Sequence, residues 1–139
     1  RAMDEGLTAG VICISNTKAN FAGAKIDLNI RTENELYVIK GDRKTIGYSK
    51  TDNHDFTVNE LSSKANNVYY LTTDGYLDQN GGDKNHCFGK KRFYSLIEEY
   101  YSKPLQEQKK FFVEALNEYM QDKAQRDDVT VIGFKIREK

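Results

Sequence analysis

Carboxylates placed where a strand meets a loop can hold a hard divalent cation, and two turns of this sequence have that form. The first is Thr72-Thr73-Asp74-Gly75, which follows Val68-Tyr69-Tyr70-Leu71. The second is Asp127-Asp128, which opens the run Val129-Thr130-Val131-Ile132-Gly133-Phe134. Both flanking runs are rich in β-branched and aromatic residues, so both are expected to be strands. If those strands are neighbours, Asp74 and Asp127 converge on one edge of a sheet. Taken singly, each motif is also ordinary turn chemistry, because Asp-Gly is a common turn dipeptide and acidic residues blunt sheet edges.

The other chemistry-bearing side chains do not assemble a site. His54 and His86 are the only histidines, both in polar stretches, and no second Cys or His pair completes a tetrahedral zinc set with His86-Cys87. Cys13 and Cys87 are too sparse for a disulfide framework, which fits a reducing cytoplasm. Asp4 lies near the start of the sequence in Arg1-Ala2-Met3-Asp4, and nothing in the pattern gives it a role.

The elements that must position the two turns are legible from periodicity. Thr8 to Ser15 is a compact apolar run, Asn20 to Ala24 a shorter one, and Ile26-Asp27-Leu28-Asn29-Ile30 alternates with its aliphatic residues on one face. Thr32-Glu33-Asn34 is expected as a hairpin loop in which asparagine takes left-handed angles, with Glu35 to Lys40 returning. Thr45 to Asn53 reads as loop, and Phe56 to Leu61 as a further strand. Continuous apolar runs such as Val11 to Ile14 imply cover on both faces, so helices should pack on the sheets. Two helices have apolar stripes at helical spacing: Phe93, Leu96, Ile97 and Tyr100, then Leu105, Phe112, Leu116 and Tyr119. Asn80 to Asn85 is expected to be a flexible surface loop near the acidic turns.

At 139 residues and 38% hydrophobic content, the sequence supports one globular domain with a core. Basic and acidic residues balance at 21 each, which excludes the electrostatic footprint of a nucleic-acid binder. No apolar run approaches the roughly 20 residues of a membrane-spanning helix, so no membrane contact is expected.

The ordered set of Asp74-Gly75, Tyr76-Leu77-Asp78-Gln79, a Gly-rich stretch, Phe88-Gly89, two helices and Gln125-Arg126-Asp127-Asp128-Val129-Thr130-Val131 resembles a known family. That family is the metal-dependent (PPM-type) protein phosphatases, in the bacterial branch named after stage II sporulation protein E (SpoIIE). Phe21-Ala22-Gly23-Ala24, and Ile39-Lys40-Gly41-Asp42-Arg43 leading to Ile46-Gly47, are similar to the same branch. The resemblance spans nearly the whole sequence. The family's two earlier metal-binding stretches, a Gly-Asp turn and an Asp-x-x-Gly-His-Gly segment, have no counterpart, so residues 1–139 are expected to be the C-terminal part of the domain.

The resemblance implies an α+β fold, part of an αββα two-layer sandwich of mainly antiparallel strands with flanking helices. It implies that Asp74 and Asp127 are ligands to manganese or magnesium, two ions in the intact domain, and that Gly75 lets the backbone pass close to the metal centre. Asp128 and Asp78 are secondary candidates. Asp128 could instead bond local backbone, and Asp78 could favour the N-terminus of a helical turn beginning at Gly75. The implied reaction is hydrolysis of phosphoserine or phosphothreonine in a bacterial phosphoprotein, such as an anti-sigma-factor antagonist in partner switching. The chain alone is expected to be inactive, and to self-associate through the apolar surface that a partial sandwich leaves bare. The alternative is a non-catalytic pseudophosphatase or regulatory interaction domain.

Overall fold

The computed structural model describes residues 6–16, 18–47 and 55–137. Asp4 and His54, and the later part of the Thr45 to Asn53 stretch, lie outside them. In chain order the elements are β1 (Ala9–Ile14), β2 (Ala19–Ala24), β3 (Leu28–Arg31), β4 (Leu36–Ile39), β5 (Asn59–Leu61), β6 (Val68–Thr72), α1 (Asp74–Leu77), β7 (Asn80–Gly81), β8 (His86–Cys87), α2 (Gly89–Tyr100), α3 (Leu105–Met120) and β9 (Val131–Phe134). They form an antiparallel sheet in the order β1-β2-β5, a second in the order β4-β3-β6-β9, and the small β7-β8 hairpin.

Strand alternation explains the layers. Successive side chains of β6 point to opposite faces, so Tyr69 and Tyr70 enter different cores. Tyr69 joins Phe21, Leu28, Ile30 and Leu61 between the two sheets, where it stacks on Phe134 with ring centroids 5.1 Å apart. Tyr70 joins Tyr76, Phe93, Ile97, Phe112 and Leu116 between the second sheet and the helices. Tyr76 holds the centre of that second core, edge-on to Phe88 at 5.2 Å and Phe93 at 5.7 Å. Its hydroxyl donates to Phe112 O at 2.7 Å, so the one polar atom of the ring is satisfied.

The α+β sandwich with antiparallel sheets is the fold that the sequence leads one to expect, with local corrections. Among the described residues the helices cover only the β4-β3-β6-β9 sheet. Among the described residues nothing covers Val11, which is 61% exposed, and Ile14 is 52% exposed. The Phe56 to Leu61 strand shortens to Asn59–Leu61 because the Asp42 carboxylate takes the Thr57 N–H at 2.6 Å and its hydroxyl at 2.9 Å. That carboxylate is held below its usual range by those two donors. In the β3–β4 turn it is the Thr32 hydroxyl that organises the chain, accepting the N–H groups of Asn34 and Glu35 at 3.2 and 3.1 Å, and Asn34 has no left-handed angle. Asn80 to Asn85 belongs to the β7-β8 hairpin, whose Gly82 N–H donates to Tyr119 O at 2.8 Å.

Burial raises the pKa of Tyr70 and of Tyr76 well above that of a free phenol. The sign of the resulting pH dependence is fixed: unfolded tyrosines ionise near pH 10, whereas these two stay protonated in the folded protein to a higher pH. Their stabilisation is complete below about pH 10 and declines as pH rises beyond it. Urea midpoints should therefore fall from about pH 9 to about pH 11. A midpoint unchanged over that interval would contradict the assignment of both rings to the core.

Candidate functional site

β6 and β9 are antiparallel neighbours with Thr72 opposite Val131, so the end of one strand lies beside the start of the other. Beyond the ladder, the Thr73 N–H donates to Thr130 O at 3.0 Å and the Thr130 N–H donates to the Thr73 hydroxyl at 3.1 Å. The two acidic turns therefore meet at one sheet edge. Asp74, the first residue of α1, and Asp127, shortly before β9, are both exposed there.

Gly75 explains how close the two turns come. A Cβ built on it would lie 2.0 Å from Asp128 O and 3.6 Å from the Asp127 carbonyl carbon. Only a residue without a side chain allows this approach, so what Gly75 demonstrably accommodates is the Asp128 carbonyl.

The secondary candidates are placed differently from expectation. The local backbone bond foreseen for Asp128 is made by Asp127, whose Oδ1 accepts the Asp128 N–H at 2.7 Å. Asp128 is exposed. Asp78 is also exposed, and it ends α1 rather than beginning it, its N–H donating to Asp74 O at 2.8 Å. The helix-terminus benefit proposed for it does not apply, because its carboxylate sits at the end where backbone carbonyls, not N–H groups, are left free. His86 and Cys87 are exposed residues of β8, and their carbonyls accept the Tyr119 hydroxyl at 2.9 and 3.2 Å.

Gln79 was not singled out by its sequence context, yet it is fully buried and braces the second turn. Its amide donates to Asn80 O and Ala124 O, both at 3.0 Å, while its Oε1 accepts the Arg126 N–H at 3.1 Å. The residue before Asp127 is thus tied to the segment that follows α1. Gln79→Leu keeps most of the volume and removes all three bonds, which should cost about 1–3 kcal/mol. The checks are a lower urea midpoint at unchanged m-value and faster amide exchange at Arg126; a wild-type midpoint would remove the bracing role.

The donor set is hard: short, solvent-open carboxylates suited to manganese or magnesium. It is also partial, since among the described residues no group of three His, Cys, Asp or Glu side chains could hold a metal ion. Beside Asp74 opens a cleft of about 420 Å³ that runs to Asn29, Arg43 and Lys90.

No helix among the described residues is long and apolar enough to cross a membrane. The structure resembles the SiaA-PP2C domain of Pseudomonas aeruginosa, with a TM-score of 0.85 and 35% identity over 94% of this chain and 52% of that one. It also resembles the phosphatase domain of the cell fate determinant SpoIIE from Bacillus subtilis, with a TM-score of 0.66 and 16% identity over 93% of this chain and 58% of that one. The Mycobacterium tuberculosis serine/threonine phosphatase PstP/Ppp gives a TM-score of 0.60 and 17% identity over 95% of this chain and 61% of that one. The last two likenesses concern the fold. The chain thus spans between about half and three fifths of these solved structures. No curated protein matches the sequence. The family described as Stage II sporulation protein E (SpoIIE) matches residues 9–137. With nearly the whole sequence matched and the sandwich in place, the chain belongs to the SpoIIE family and carries part of its PP2C-type phosphatase domain.

Proposed function

We propose that this chain supplies the strand-end carboxylates of a metal-dependent phosphoprotein phosphatase that acts on phosphoserine or phosphothreonine in bacterial signalling. The observation that carries the proposal is the Gly75–Asp128 contact, which fixes Asp74 and Asp127 at one sheet edge. Asp74 and Asp127 are the residues that would hold manganese or magnesium, with Asp128 and Asp78 as secondary ligands. A bound divalent ion supplies charge neutralisation at phosphoryl oxygens and a water of lowered pKa. A Bacillus subtilis SpoIIE phosphatase structure was presoaked with manganese, which is the metal the test begins with. The chain's own part is positional: α1 presents Asp74, the Asp127 turn is closed by its own backbone bond, and Gln79 holds the approach to it.

The finer reading places the protein in the cytoplasm, with an anti-sigma-factor antagonist of the partner-switching kind as substrate. The test is manganese- and magnesium-dependent phosphate release from a phosphoserine protein, assayed for this chain and for the complete family domain. Turnover is expected from the complete domain and little or none from the chain alone, which offers only part of a ligand shell. A folded complete domain without turnover in either metal would leave the interaction-domain alternative.

Self-association completes the reading. The β1-β2-β5 sheet exposes Val11, at 61%, and Val58, just before β5, is 66% exposed; a second copy would cover this surface. Light scattering should show a dimer or larger assembly, and a monomer at every concentration would end the idea.

A further inference from the structure

The cleft beside Asp74 has a floor and a rim that the strand-end carboxylates do not explain. Its floor includes Asn29 of β3, which is 3% exposed. The Asn29 amide donates to Tyr70 O at 3.2 Å, while among the described residues its Oδ1 has no partner. A buried acceptor left unpaired costs stability, so Asn29 marks the closed floor of the cleft and the ligand-binding groups lie on its rim.

The rim is basic. Lys25 takes a left-handed backbone angle, φ 56°, and its N–H donates to Asp42 O at 2.8 Å. That bond joins the turn after β2 to the turn after β4, so Lys25 and Arg43 border the cleft from adjoining segments. Gly41 lets these turns close, since a Cβ there would lie 2.2 Å from Ile26 O. The third cation, Lys90, is spoken for: it pairs with Asp27 at 3.1 Å, and Asp27 also accepts the Gly41 N–H at 3.0 Å. Among the described residues neither Lys25 nor Arg43 has a carboxylate partner. The cleft is therefore polarised, with cations that have no carboxylate partner among the described residues on the β-turn wall and Asp74 and Asp78 on the α1 wall.

A phosphopeptide whose phosphoryl group lies toward Asp74 would carry its neighbouring residues across this cleft. We propose that Lys25 and Arg43 form a specificity subsite for an acidic side chain flanking the phosphorylated residue. The subsite rests on the phosphatase reading and narrows its substrate class to phosphopeptides with acidic flanks.

Fluorescence anisotropy on this chain tests it, using labelled phosphoserine peptides that differ only in Asp and Glu flanks against Asn and Gln flanks. The acidic peptide should bind about three- to tenfold tighter, the range for two partly exposed ion pairs, and added salt should erase the difference. In the double variant Lys25→Asn, Arg43→Gln the preference should vanish while the neutral peptide binds as before. Asparagine at position 25 tolerates the left-handed angle, so the turn is kept. Equal binding of the two peptides to the unaltered chain, or equal weakening of both in the variant, would overturn the subsite. Phosphate release by the complete domain is scored separately: turnover without acidic preference removes the subsite alone, and acidic preference without turnover removes the phosphatase reading while supporting the rim as an anion site.

Discussion

Asp74→Asn and Asp127→Asn should each abolish metal-dependent phosphate release by the complete domain, by more than about 100-fold, with the fold retained. Loss of an outer-shell partner of a metal site already costs about 10–100-fold, and on the proposed function these substitutions remove a direct charged ligand. The fold should survive because both side chains are exposed and neither contributes to a core. At position 127 the asparagine oxygen can still accept the Asp128 N–H, so the turn is preserved. Asp78→Asn should do less, since that residue lies at the far end of α1. Circular dichroism establishes that each variant is folded, and initial rates in manganese give the comparison. Equal, near-total losses at all three positions would mean that the metal set extends to Asp78. Full activity in Asp127→Asn would remove the second turn from the site.

Gly75→Ala should disable the site without touching a carboxylate. The added methyl would sit 2.0 Å from Asp128 O, and a backbone carbonyl cannot swing aside as a flexible side chain can. The two turns must separate, straining the Thr73–Thr130 hydrogen bonds that lie beyond the ladder. Overpacking of this kind costs about 1–3 kcal/mol. The melting temperature should drop, and phosphate release by the complete domain should fall far more than stability does. Gly133→Ala is the control on the neighbouring strand, because a Cβ there meets Tyr70 at 3.4 Å, ordinary contact. If Gly75→Ala and Gly133→Ala behave alike, the close approach has no functional weight.

What could be read from the sequence divides along the range of the interaction. The β3–β4 hairpin and the stripes of α2 and α3 are local patterns, and Phe93, Ile97, Phe112 and Leu116 are buried as their spacing requires. Asp74 and Asp127 were legible as strand-end acids because the strand signals beside them are strong. Gln79 and Gln108 were not, because a buried amide is recognisable only through its partners. Two of the three partners of Gln79, Ala124 O and the Arg126 N–H, lie beyond α3, and Gln108 accepts the Tyr70 hydroxyl at 2.6 Å while donating to Lys103 O at 2.8 Å. The basic rim escaped for the same reason, since Lys25 and Arg43 come together only when the turns after β2 and β4 close on each other. The bare outer face of the first sheet shows the opposite failure: Val11 to Ile14 has the composition of a doubly covered strand, and composition does not say which element provides the cover.

A protein with two separate apolar cores could in principle lose them one at a time. Here a single strand serves both, because Tyr69 of β6 is locked between the sheets while Tyr70, its neighbour in sequence, is locked beneath the helices. Pulling β6 out of either core withdraws it from the other. The two cores are thereby bound into one cooperative unit, and the helix layer cannot melt as an independent subdomain above an intact sandwich.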